Sequence, residues 1–193
     1  MKDIIVMGIQ GSGKGTQARL LLEHFGEKMK YFEMGGILRA LQSNDNAIGN
    51  YTADTVNNGL LINPAIPAGL WSVFMETLGE GDMILGDGVL RTMDQTVQII
   101  QKMQEKKRDF VVVCLEMPDE EVYKRIAKRA NTDGSQARKD DTDEQAIRNR
   151  IASFYRDTMP ALEWVEKQGL LVRVDGMRNE NEIFAEILEI MKK

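Results

Sequence analysis

Nine residues near the amino terminus, Gly8-Ile-Gln-Gly11-Ser12-Gly13-Lys14-Gly15-Thr16, constrain this chain more than any other feature. They follow the short apolar run Asp3–Met7. They precede a stretch from Thr16 to Phe25 with apolar residues at helical spacing, at Ala18, Leu21, Leu22 and Phe25. Strand, glycine-rich loop and helix in that order are the setting of a phosphate-binding loop. Glycines let successive backbone N–H groups converge on one anion, and the helix amino terminus adds partial positive charge. Lys14 supplies a full charge to the β- and γ-phosphates. A dinucleotide-binding turn is excluded, because Lys14-Gly15-Thr16 stands where its last glycine is due.

The rest of the chain repeats the alternation that such a loop needs. Met83–Leu85 reads as a strand leading to Gly86-Asp87, and Thr92 to Met103 as a helix. Phe110–Leu115 and Leu170–Val174 are further strands. Pro118–Ala130 and Asn179–Met191 are further helices. Strands alternating with helices predict an α/β fold, a central parallel sheet flanked by helices. Lys30–Glu33 is a short second strand. From Gly35 to Leu78 helical pieces follow without a convincing strand, which predicts a helical insertion. The polar residues Asn131–Lys139 predict a loop or short lid.

At 193 residues, the chain suits one domain. Hydrophobic residues make up 42% and charged residues 28%, a soluble globular balance. The net charge of −5 carries no basic footprint for nucleic acid. No apolar stretch is long enough to span a bilayer, and the expected location is the cytoplasm. One cysteine and one histidine exclude a disulfide framework and a Cys-rich zinc site. Cys114, inside an apolar run, reads as core. His24 reads as a partner for the carboxyl end of its helix.

The residue after Lys14 is Gly15, and the hydroxyl comes one place later, at Thr16. The usual side-chain ligand for Mg2+ is therefore missing. The ion is expected to be held by phosphates and waters, with Asp87 anchoring the waters from a strand end. The chain has neither the Asn-Lys-x-Asp base motif nor the Asp-x-x-Gly switch of G proteins, which leaves a small kinase with an acceptor site. Phosphoryl transfer between two nucleotides needs no strong base, because the attacking atom is already an anionic oxygen. It needs fixed positive charge against the repulsion of two polyanions. Arginines without a local acidic partner are the candidates. Arg129 has a like charge, Arg125, four residues earlier, and Arg150 has Ala146 and Ile147 at the neighbouring positions. Arg148 has Glu144 and reads as a surface pair. Arg91 lies in a loop after a strand, where ligands bind in such folds. Arg39 lies in the insertion and Arg138 in the polar loop.

These features together resemble the adenylate kinases and the wider nucleoside monophosphate kinase family. The resemblance rests on Gly8–Gln17, Gly35-Gly-Ile-Leu-Arg39, Asp87-Gly-Val-Leu-Arg91-Thr-Met-Asp-Gln95, Arg138-Lys-Asp-Asp141 with Arg148-Asn-Arg150, and Val174-Asp-Gly176. It implies a phosphate-loop kinase fold with a five-stranded sheet. Within one domain it implies a core of residues 1–33, 63–129 and 140–193, a monophosphate-binding insertion at 34–62 and a short lid at 130–139. It implies an enzyme that moves the γ-phosphoryl of ATP to AMP with Mg2+ as cofactor, acting as a monomer. UMP or CMP as acceptor, or a non-catalytic nucleotide binder, are the alternatives.

On the same resemblance, Gly11, Ser12, Gly13, Lys14, Gly15 and Thr16 would hold the donor phosphates. Arg125, Gly176 and Arg178 would border the donor base and Arg129 its phosphates. Met34, Arg39, Leu60, Leu61, Ile62, Gly88, Arg91, Gln95, Arg138 and Arg150 would hold the acceptor, Gln95 at an adenine edge. Arg129, Arg138 and Arg150 would surround the transferred group, with Lys14 and Arg91. Thr92-x-x-Gln95 also reads as a helix-capping box, and Thr142-x-x-Gln145 as a second one. The family's usual Thr-Gly-Asp reads Met34-Gly35-Gly36 here, which removes one carboxylate and leaves Glu33 as the alternative. Restoring Thr at 34 and Asp at 36 is expected to sharpen the choice of acceptor.

Overall fold

A computed structural model describes residues 1–130 and 143–193, without the side chains of 129 and 130. Five strands, β1 (Asp3–Gly8), β2 (Met29–Glu33), β3 (Met83–Asp87), β4 (Phe110–Glu116) and β5 (Leu171–Asp175), form one parallel sheet in the order β2-β3-β1-β4-β5. The three inner strands, β1, β3 and β4, are near-continuous apolar runs because both faces are covered, while the edge strands β2 and β5 alternate buried residues with more exposed ones such as Tyr31 and Val172. On one face lie α1 (Lys14–Phe25) and α9 (Glu180–Lys192). There Ala18 and Leu21 pack with Ile4, Leu85, Val113, Val174 and Ile187. On the other lie α4 (Ala65–Glu76), α5 (Met93–Glu105) and α8 (Met159–Lys167), around Trp71, Ile84, Ile99, Val112 and Leu162.

The insertion after β2 is helical, as expected: α2 (Met34–Gln42) and α3 (Ala47–Val56) precede α4. Two further helices, α6 (Asp119–Ala130) and α7 (Glu144–Ser153), meet at a small third core. In it Ile9 of the glycine-rich loop packs with Val122, Ile126 and Ile151. That core seats both helices against the loop. After α7 the chain widens into a π-helical turn, Phe154–Thr158, before α8. The sequence carries no periodic signal for this turn. Cys114 is buried, and burial pushes its thiol up to about 11. Trp71 is buried in the core and Trp164 packs at its edge. His24, in the last turn of α1, stacks edge-on against Phe25 and Phe184.

Two capping expectations are revised. Thr92 accepts the N–H of Gln95, but the Gln95 amide turns inward instead of closing the box. The cap of α7 is Asp143, whose carboxylate accepts the N–H groups of Gln145 and Ala146. As the residue just before the helix, Asp143 holds its carboxylate within reach of the first free N–H groups. Thr142 itself lies outside the described residues.

Candidate active site

β1 lies at the centre of the sheet between β3 and β4. The loop that leaves it therefore sits at the carboxyl edge, in the crevice where open α/β sheets bind ligands. Gly8 has φ 142, and a Cβ there would stand 2.5 Å from the Leu115 carbonyl, so only glycine fits. Gly11 and Gly13 also have positive φ, and Gly13 is the residue before α1. Lys14 opens that helix. Its Nζ donates to the carbonyls of Gly8 and Ile9, each at 2.8 Å. The ammonium thus lies inside the loop, next to the Ser12 hydroxyl at 3.4 Å. Gly15 is exposed and Thr16 half-buried on the first turn.

Four of the residues assigned to the donor side, Gly11, Ser12, Arg125 and Gly176, come together here. The Gly176 N–H donates to the Glu116 carbonyl at 2.8 Å. A Cβ on Gly176 would stand 3.2 Å from the Ser12 carbonyl, so the turn after β5 packs on the loop. Arg125 of α6 donates to the Gly176 carbonyl at 3.3 Å, and its Cβ lies beside Gly11. Arg178 is turned elsewhere, onto Glu186 of α9. Its partner is eight residues on, around the start of a helix, a spacing that local pairing rules do not cover.

Arg150 reaches the loop from α7, its Nη1 donating to Gln10 Oε1 at 3.1 Å. Arg148, two residues earlier, points to Glu144 at 2.5 Å and is exposed. This is the division drawn from their local neighbours. Arg138 and the side chain of Arg129 lie outside the described residues, as does nearly all of the expected lid at 130–139.

On the other side, Asp87 ends β3 with 8% of its surface exposed, and the Tyr31 hydroxyl donates to it at 3.2 Å. Gly88 turns with φ 65, and Arg91 folds across it, Nε donating to the Gly88 carbonyl at 2.9 Å. The Thr158 hydroxyl, on the π-helical turn, donates to the Arg91 carbonyl at 3.0 Å. Sequence reasoning missed Thr158, and no motif marks it. Gln95 is buried and donates to the Val89 carbonyl, tying down the same loop. Arg39 pairs with Glu33 at 2.7 Å. Leu60 is exposed, Leu61 half-buried and Ile62 buried. Met34 is only 1% exposed and packs in the core with Phe32 and Trp71. The turn before Leu60 docks on α7: Asn149 donates to the Asn58 carbonyl at 2.8 Å, and Gly59 lies against the Ala146 carbonyl.

Among the described residues no three His, Cys, Asp or Glu side chains converge as a metal-binding set. None of the described helices is long and apolar enough to cross a membrane.

A strand, glycine-rich loop and helix with a lysine folded into the loop, and arginines reaching it from α6 and α7, on a five-stranded parallel sheet, have the form of a phosphate-loop nucleotide kinase. Comparison with known proteins narrows the class. The adenylate kinase family model matches residues 6–170. Adenylate kinases from Leptospira biflexa (strain Patoc 1) and Methanosarcina barkeri are 32% and 31% identical. The first match covers 98% of this chain and 99% of that protein, the second 99% of each. The adenylate kinase of Phocaeicola vulgatus is 26% identical over the whole of both chains. The chain belongs to the adenylate kinase family.

Proposed function

We propose that this chain transfers the γ-phosphoryl of ATP to AMP reversibly, giving two ADP, as a monomeric cytoplasmic enzyme. The observation that carries the reading is the approach of Arg150 to Gln10 across 140 residues of chain. It brings a fixed cation from a separate helix to the phosphate loop. A site that only bound one nucleotide has little use for that charge. A site that stabilises a phosphoryl passing between two nucleotides requires it. The family membership and the relatives' names favour AMP over UMP or CMP.

In this reading the loop N–H groups and Lys14 bind the donor phosphates. Arg125 and Gly176 border the donor base. Arg39 and Arg91 bind the acceptor phosphate, and Arg150, with Arg129 and Arg138, faces the transferred group. Residues of this kind fit an oxygen-seeking ion that arrives on the nucleotide, because Asp87 offers one oriented carboxylate and no dedicated cage surrounds it among the described residues. Asp87 would hold Mg2+ through water, and the bound ion would neutralise phosphate charge. The test is a coupled assay of ADP formation with ATP and AMP, CMP or UMP. The account predicts the highest kcat/KM with AMP. ATP consumption independent of any monophosphate would overturn it.

A further inference from the structure

Glu33 and Arg39 meet on a floor made for them. Helical side chains tilt toward the helix start, so the Arg39 side chain runs back along α2. The residues three and four places earlier on that face are Gly36 and Gly35. A Cβ at Gly35 would stand 3.0 Å from Arg39 Nη1, and one at Gly36 would stand 2.7 Å from Glu33 Oε2. With both side chains missing, Arg39 Nη2 and Glu33 Oε1 close to 2.7 Å directly above the first turn. Glu33 is also the residue before α2, yet it makes no side-chain cap. Its carboxylate therefore combines a guanidinium with the positive end of a helix. Those two features together also suit a phosphate.

We infer that Glu33 competes with the acceptor phosphate for Arg39 and thereby sets acceptor affinity. This rests on the reading of Arg39 as a cation for that phosphate. Glu33 stands in register with Asp87, four residues before Arg91, so the competition takes place at the acceptor edge of the sheet. A phosphate dianion carries more charge than a carboxylate and can take both guanidinium donors at once. It displaces Glu33 where a singly charged or neutral group does not. Glu33 thus favours acceptors with a full phosphate over nucleosides. Both partners are partly exposed, 36% and 30%. The competing pair is therefore worth at most about fivefold in affinity, which is about 1 kcal/mol converted at 1.4 kcal/mol per tenfold.

The experiment is calorimetric titration of the full chain with AMP, without ATP or divalent ion. It compares wild type, Glu33→Gln, Arg39→Ala and the double variant. Glu33→Gln should bind AMP about two- to fivefold more tightly. Arg39→Ala should bind more weakly, and the double variant should match Arg39→Ala, since nothing remains to compete for. Glu33→Asp keeps the charge but withdraws it by one methylene and should fall between wild type and Gln. It carries the comparison if the Gln variant does not fold. An AMP affinity that stays the same or weakens in Glu33→Gln, while Arg39→Ala loses affinity, overturns the competition and makes Glu33 an aid to Arg39. If Arg39→Ala binds AMP like wild type, the assignment of Arg39 fails and the inference falls with it. A second titration, of ATP with and without Mg2+, covers the metal. Loss of the Mg2+-dependent part in Glu33→Gln, with AMP affinity unchanged, overturns the inference in favour of a water-anchoring role.

Discussion

Lys14→Met separates what the loop lysine does for the fold from what it does for the reaction. In the fold, Nζ donates to two loop carbonyls at 2.8 Å. Both are only partly buried, so each lost bond costs about 1 kcal/mol. The sum, about 2 kcal/mol, lowers the melting temperature by roughly 4–8 °C in a chain of this size. In the proposed reaction, Lys14 would be a preorganised charge at developing phosphate charge. Removing such a contact costs about 10²–10³ in kcat, or about 3–4 kcal/mol. The second effect exceeds the first, so at 25 °C the variant should remain folded and nearly inactive. Circular dichroism through the melting transition measures the first quantity, and coupled ADP formation at saturating ATP and AMP measures the second. A folded variant with turnover within about threefold of wild type refutes the cradle, because a preorganised contact is worth far more than that.

Arg150→Ala should lower kcat about 10²-fold with little change in either KM, while Arg148→Ala, which loses an exposed i,i+4 pair, should stay within about twofold in steady-state kinetics. A larger loss at Arg148 would reverse the assignment. Asp3→Asn breaks a nearly buried pair in which Arg108 donates to both carboxylate oxygens, at 2.6 and 2.8 Å. It should cost about 3 kcal/mol in denaturant unfolding and leave both KM values unchanged. Met34→Thr with Gly36→Asp should destabilise the protein by about 2–4 kcal/mol, because Met34 fills the core. It should also force Glu33 aside, and unchanged stability would contradict that packing. Burial, helped by the hydrogen bond to Asp119, pushes the Tyr155 phenol up to about 12, above its ordinary value of 10. Its contribution to stability is therefore complete below pH 10 and lost as pH climbs through about 12. Absorbance at 295 nm should show a phenol step near pH 12 that is missing in Tyr155→Phe.

The sheet was legible because a parallel strand buried on both faces must be apolar through its middle, and β1, β3 and β4 are, with a charged residue only at one end, Asp3, Asp87 and Glu116. The loop was legible because the glycines that its positive-φ turns require leave a spaced pattern. The division between Arg148 and Arg150 followed from which neighbours stand three and four residues away. What was not legible depends on pairing across the chain. Arg178 finds Glu186 beyond the helix start, and Thr158 reaches the Arg91 carbonyl from a π-helical turn with no period of its own. Gln95 holds the Val89 carbonyl, a bond that neither a capping motif nor a base-recognition pattern encodes. The expected benefit of Thr at 34 and Asp at 36 treated those positions as open. Met34 is packed under the helix, and the Glu33 carboxylate occupies the space above Gly36. Glu33 itself was legible as a carboxylate, but the two glycines that seat it looked like missing side chains.

The central claim is that one chain holds two nucleotides and passes a phosphoryl between them. Supplying ADP alone, with Mg2+, tests it without any added acceptor. Phosphorus NMR should show ADP falling while ATP and AMP rise in equal amounts toward an equilibrium, and Lys14→Met should leave ADP unchanged. Release of inorganic phosphate, or ATP and AMP appearing in unequal amounts, would contradict the account.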